Sequence, residues 1–202
     1  MRIGVFGGTF DPPHIGHLLV AVEAYESLSL DRLIFIPAGQ QPLKTDRPAG
    51  ASAKDRLEMV RRAAGDDKRF QVSAMEIERG GLSYTVDTLE TLARENPGAE
   101  LVLIVGMDAL AAFDRWKNPE RITELASLAV LARSGDHGMA AAVGKGVTVV
   151  GTRRIDVSSS EIRQRIAEGK SIHGFVAESV EAYISSENLY RSERQAVDTP
   201  SH

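Results

Sequence analysis

Short apolar runs rich in Val, Ile and Leu recur along the chain at Arg2 to Phe6, Leu33 to Pro37, Phe70 to Ala74, Leu101 to Val105, Leu128 to Ala132 and Val147 to Gly151. Runs of this length bounded by turn residues predict strands buried on both faces. Between them the period changes. Ile15, Leu18, Leu19, Val22 and Tyr25 fall at helical intervals that put all five on one face, and Asp55 to Ala64 and Tyr84 to Glu95 follow the same spacing. Two more helices are predicted near the end, over Ser159 to Glu168 and Val176 to Ser186. Strands alternating with helices demand right-handed crossovers, so the expected fold is α/β, a doubly wound parallel sheet with helices on both faces and C-terminal helices. In such sheets ligands bind beyond the carboxyl ends of the strands.

The rest of the pattern sets boundaries. Gln40 to Ser52 carries turn residues and no helical or strand period, and reads as a mobile loop after the second strand. Residues 192–202, SERQAVDTPSH, hold almost no apolar side chains and are expected to be a disordered tail, which leaves 1–191 as a single domain. A net charge of -4 argues against a broad basic surface for nucleic acid, which needs many Lys and Arg contacts to phosphates. No run of 18 apolar residues occurs, and Met1 to Phe10 enters a strand with no leader-like pattern, so no membrane partner and a cytoplasmic location are expected. The absence of cysteine removes thiolate nucleophiles and thiolate metal sites.

One segment concentrates chemistry. Gly7-Gly8-Thr9-Phe10-Asp11-Pro12-Pro13-His14-Ile15-Gly16-His17 follows the first strand and opens the first helix. Glycines allow close approach of backbone to ligand, and a helix start presents free N–H groups to an anion. His14 and His17, three apart, can set both imidazoles on one side, roughly 5 to 6 Å apart at Cβ. A Gly-rich turn with two capping or surface histidines would look similar in isolation; the coincidence of strand, glycines, helix start and paired histidines favours phosphate handling. Two common phosphate loops are missing. Gly4, Gly7 and Gly8 do not make GxGxxG, Phe10 stands where a looser GxxGxxG needs glycine, and no GxxxxGK[ST] occurs.

GGTFDPPHIGH, together with Val157-Ser158-Ser159-Ser160-Glu161-Ile162-Arg163, resembles the paired signatures of nucleotidylyltransferases of the HIGH superfamily, and most closely the bacterial nicotinate-nucleotide adenylyltransferases. The resemblance implies a Rossmann-like fold and transfer of the adenylyl group of ATP to nicotinate mononucleotide, with Mg2+ accompanying the ATP phosphates. It assigns catalysis to His14, His17, Lys44 and Arg163, and ATP binding to Gly7, Gly8, Thr9, Phe10, Gly106, Asp108, Ser158 and Ser159. Taken alone, Ser158 and Glu161 are also a helix capping box, and Asp108 could cap a helix beginning at Ala109. The nicotinate mononucleotide is assigned to the Tyr84-Thr85 helix start, whose N–H groups suit a carboxylate, and to Trp116, expected as an exposed indole in a polar loop. Two departures stand out: Val-Ser-Ser-Ser replaces the commoner Ile-Ser-Ser-Thr, and Leu43 replaces a histidine that relatives often place before the lysine. Competing readings are a related HxGH transferase using nicotinamide mononucleotide or phosphopantetheine, and a non-catalytic nucleotide-binding module; retention of both histidines and Arg163 weighs against the last.

Overall fold

The computed structural model describes residues 1–40, 42, 49–133, 147–153 and 155–191. Lys44, Leu43 and the tail at 192–202 lie outside the described residues, as does most of the loop expected after the second strand. Six strands, β1 (Arg2–Gly8), β2 (Arg32–Pro37), β3 (Phe70–Val72), β4 (Glu100–Gly106), β5 (Ala126–Arg133) and β6 (Val147–Thr152), form one parallel sheet in the order β3-β2-β1-β4-β5-β6. All six correspond to the expected apolar runs, and the order reverses between β1 and β4, the point where doubly wound sheets open a crevice.

Period-two alternation assigns each strand residue to one of two cores. Ile3, Val5, Ile34, Ile36, Leu101, Leu103, Val105, Leu128 and Val130 face one side, where they meet Val86, Leu89 and Leu92 of α4 (Thr85–Glu95) and Ile122 of α6 (Pro119–Leu125). Phe6, Leu33, Phe35, Val102, Ile104 and Ala129 face the other, against Ala21 and Ala24 of α1 (Ile15–Ser27) and Val60 of α2 (Ala53–Ala64). A third cluster, built from Ala51, Met59, Ile162, Val180 and Ile184, docks α7 (Ser159–Ala167) and α8 (Glu178–Ser186) onto α2.

Several local expectations needed correction. The deepest residues of α1 are Gly16, Ala21 and Ala24, not the five large apolar positions, because the small residues let the helix lie close to the sheet. β3 stops at Val72, and Ala74 instead caps a short helix α3 (Met75–Arg79). A further short helix, α5 (Met107–Ala111), starts two residues earlier than expected, since Gly106 in extended geometry is its cap; Asp108 is an exposed first-turn residue with no capping bond. Among the described residues no helix is long and apolar enough to cross a membrane.

Candidate active site

The Gly7 to His17 segment turns sharply off the carboxyl end of β1. Phe10 takes a left-handed backbone angle (φ 50) and drives its ring into the core, 5.8 Å from Phe35 and 5.0 Å from His17 between ring centres. A Cβ on Gly8 would lie 2.9 Å from that ring, so a side chain there would displace Phe10. Glycine is needed a second time at Gly16, where a Cβ would come 2.9 Å from Nδ1 of His14. The missing side chain lets the His14 imidazole fold over the helix start and stack on His17, with ring centres 3.7 Å apart and planes 29° from parallel.

This packing fixes the chemical state of the pair. His14 N–H donates to Nδ1 of His17 at 3.1 Å, so the neutral His17 ring carries its proton on Nε2. Burial pushes His14 down to about 4 from 6.5. Burial, and then the neighbouring His14, push His17 down to about 3 from the same value. In the ligand-free protein both rings are therefore neutral N–H donors at pH 7. The Nδ1 of His14 is buried and has no hydrogen-bond partner among the described residues.

The second signature closes on the first. Ser158 caps α7, its Oγ accepting from Glu161 N–H at 3.1 Å. Ser159 Oγ donates to the carbonyl of Pro12 at 2.8 Å, and Arg163 Nη1 donates to the carbonyl of Asp11 at 2.6 Å while Nη2 donates to Ser160 Oγ at 3.2 Å. Residues 147 and 152 positions apart thus form one wall, with the helix start of α7 beside that of α1.

A second group assembles at the start of α4. Gly39 N–H donates to Ser83 Oγ at 2.9 Å and Ser83 N–H donates to the Gln40 carbonyl at 2.8 Å, joining the end of β2 to the residues just before the helix. Tyr84 occupies the cap position and Thr85 is the first helical residue. Lys117 bridges back to the same helix: its Nζ lies 4.6 Å from the Tyr84 ring centre and 2.9 Å from Asp87 Oδ1. Trp116 ends a 3-10 turn and is half-buried against the core beside Phe113, at 5.5 Å between ring centres, rather than standing free in a loop. Gly106 at the end of β4 has open space where a Cβ would project. Every described candidate residue lies in the last positions of a strand or in the chain that follows one, although no bond joins the Tyr84 group directly to the histidine pair among the contacts described.

Three residues outside the sequence-derived set complete this end of the sheet. The Asp11 carboxylate, 5% exposed, accepts from Gly50 N–H at 2.7 Å, Ala51 N–H at 3.0 Å and the Tyr190 hydroxyl at 2.7 Å. Arg56, 2% exposed, donates to the carbonyls of Thr9 at 2.8 Å and Gly39 at 3.0 Å, so one guanidinium ties α2 to the loops after β1 and β2. A signal for Arg56 was present, because helical spacing puts it on the same buried face as Met59 and Val60. Asp11 and Tyr190 are 179 positions apart, and no local pattern pairs them. Among the described residues no three His, Asp or Glu side chains converge to hold a metal ion.

Residues 5–165 match the family model described as cytidylyltransferase-like. A Gemmatimonas aurantiaca protein named probable nicotinate-nucleotide adenylyltransferase is 46% identical over 98% of this chain and 97% of its own length. A Thermus thermophilus protein of the same name is 44% identical over 95% and 100%. Among solved structures, a Plasmodium falciparum nicotinic acid mononucleotide adenylyltransferase complexed with NaAD superposes with a TM-score of 0.75 over 94% of this chain and 97% of that one, at 17% identity, a likeness of fold. The chain, with its stacked HxGH histidines and the start of α7 bonded to the Asp11–Pro12 backbone just before them, belongs to the cytidylyltransferase-like family and, within it, to the nicotinate-nucleotide adenylyltransferases.

Proposed function

We propose that this protein transfers the adenylyl group of ATP to nicotinate mononucleotide, forming deamido-NAD and releasing pyrophosphate. The observation that carries the reading is the stacked His14–His17 pair at the start of α1, held against the start of α7 by Ser159 and Arg163. In this reaction a phosphate oxygen of the mononucleotide attacks the α-phosphorus of ATP, one P–O bond forms, and the bond to the β-phosphate oxygen breaks. The nucleophile is already anionic, so no strong base is required; the protein's part is to align the phosphates and stabilise the charge that grows on pyrophosphate.

The neutral His17 ring offers Nε2–H, and Arg163 offers the N–H groups it does not spend on Asp11 and Ser160. Free backbone N–H groups at the starts of α1 and α7 add to this. Lys44, on the segment between the end of β2 and α2, is assigned to the same phosphates by resemblance. The divalent cation that goes with ATP chemistry, for which we propose Mg2+, arrives on the nucleotide as part of the substrate. Gly7, Gly8, Thr9, Phe10, Gly106, Asp108, Ser158 and Ser159 form the ATP side. The Tyr84–Thr85 start of α4 and Trp116 form the acceptor side, where a helix N-terminus favours the carboxylate of nicotinate over a neutral amide.

The test is direct. The protein is incubated with ATP, Mg2+ and either nicotinate or nicotinamide mononucleotide, pyrophosphate is followed, and the dinucleotide is identified. Faster release with the nicotinate form and recovery of deamido-NAD are expected. Absence of pyrophosphate with both acceptors rejects the reading.

A further inference from the structure

Asp11 lies in the middle of the first signature, yet adenylyl transfer as described leaves its carboxylate unused. Its hydrogen bonds explain where it acts. Oδ2 accepts from Gly50 N–H at 2.7 Å; Oδ1 accepts from Ala51 N–H at 3.0 Å and from the Tyr190 hydroxyl at 2.7 Å. A carboxylate has about four acceptor sites, so three are filled. Among the described residues the cation facing it is Arg163, whose Nη1 stands 3.6 Å from Oδ2 and spends its hydrogen bond on the Asp11 backbone carbonyl instead, at 2.6 Å.

Tyr190 reaches this point from the far end of the chain. After α8, Leu189 N–H closes onto the Ile184 carbonyl, and Tyr190 takes a left-handed backbone angle (φ 63), which residues with a side chain seldom adopt. The bend brings the phenol under the site. Its ring and the Arg163 chain both press on Gly50, where a Cβ would meet each at 3.1 Å. Burial first, and then the Asp11 charge, push the phenol far above its ordinary range, so it stays a donor at any working pH.

We infer that Tyr190 is a positioning residue for adenylyl transfer: by donating to Asp11 it keeps Oδ1 filled, so that Arg163 stays on the backbone carbonyl and its remaining N–H groups stay available to the ATP phosphates. With the hydroxyl present only Oδ2 keeps an open acceptor site; without it a second opens on Oδ1, so that both oxygens of a carboxylate already within reach of the guanidinium can accept. Arg163 then closes into a two-pronged pair with Asp11, the geometry Arg and carboxylate favour, and withdraws from the nucleotide. The inference rests on the ATP reading given above.

Tyr190→Phe tests it in the full-length protein, because the ring still fills the space against Gly50 and only the donor is lost. With wild type assayed alongside, the KM for ATP is expected to rise about fivefold to tenfold, the scale of one ordinary hydrogen bond, while the KM for nicotinate mononucleotide stays within about twofold. KM is read on the folded fraction, so a general loss of stability cannot produce this split. On an Arg163→Lys background, which lacks the planar fork, the same Tyr190→Phe change should move the ATP KM by less than about twofold. The inference is overturned if both KM values stay at wild type, if they rise together, or if the full ATP effect persists with Lys at 163. A wild-type protein that makes no dinucleotide refutes the underlying function instead.

Discussion

His14 and His17 are neutral rings stacked face to face, and in the proposed reaction that state has consequences that single substitutions expose. Removing a preorganised donor from such a site costs about 3 to 4 kcal/mol in the transition state, or roughly 10² to 10³ in rate. His17→Ala is accordingly expected to lower kcat by that order while its circular dichroism matches wild type; full activity in a folded variant would remove His17 from the mechanism. The burial that keeps the rings neutral also ties stability to pH. Their folded-state values, about 4 and about 3, lie below the 6.5 of the unfolded chain, so unfolding is favoured by proton uptake. Their contribution is whole above about pH 6.5 and is lost as pH falls from there toward 4 and then 3. Urea unfolding of His17→Asn measured from pH 7 to pH 4 should therefore fall less steeply than wild type, by on the order of 1 to 3 kcal/mol over the range. Parallel curves would show that His17 is not desolvated.

Elements matter here chiefly through their first turns. The start of α1 is shaped by Gly16, whose missing Cβ leaves 2.9 Å for the His14 ring nitrogen. Two effects oppose each other in Gly16→Ala. Alanine favours the helix by up to about 1 kcal/mol, whereas the new methyl forces His14 to rotate away from His17. Stability should then change by less than about 1 kcal/mol while kcat drops at least about tenfold, read from thermal melting and initial rates on one preparation. Wild-type kcat at unchanged stability would mean that the stacked geometry has no part in turnover. The start of α7 was legible as a cap, since Ser158 bonds Glu161 N–H. Its neighbours Ser159 and Arg163 show why the cap sits where it does: they clamp that helix start onto the Asp11–Pro12 backbone.

At the scale of the molecule, the reversal of strand order between β1 and β4 opens the crevice, and Arg56 holds one side of it together. Its two bonds to the carbonyls of Thr9 and Gly39 cross between loops that are also joined where Asp11 accepts from Gly50 and Ala51 N–H. Arg56→Leu leaves both carbonyls without their charged donor and should cost about 3 to 5 kcal/mol in urea unfolding, more than a surface arginine by several fold. A loss below about 1 kcal/mol would mean that the two loops are held in register by other contacts.

Continuous apolar runs separated by helix-period segments by themselves determined the six strands, the main helices and the doubly wound class, because burial on both faces of a strand favours near-continuous apolar side chains. The HxGH spacing likewise indicated that two imidazoles could lie on one side of the start of α1, while their stacking depends on the space that Gly16 leaves. Tertiary structure decided what periodicity cannot carry. It selected small residues over large ones for the buried stripe of α1, half-buried Trp116 beside Phe113, and began α5 at Met107. It also brought Tyr190, Asp11, Gly50 and Arg163 to one point. Local pattern records only the period of the chain's own turns, whereas a buried carboxylate is satisfied by whatever donors the completed fold places around it.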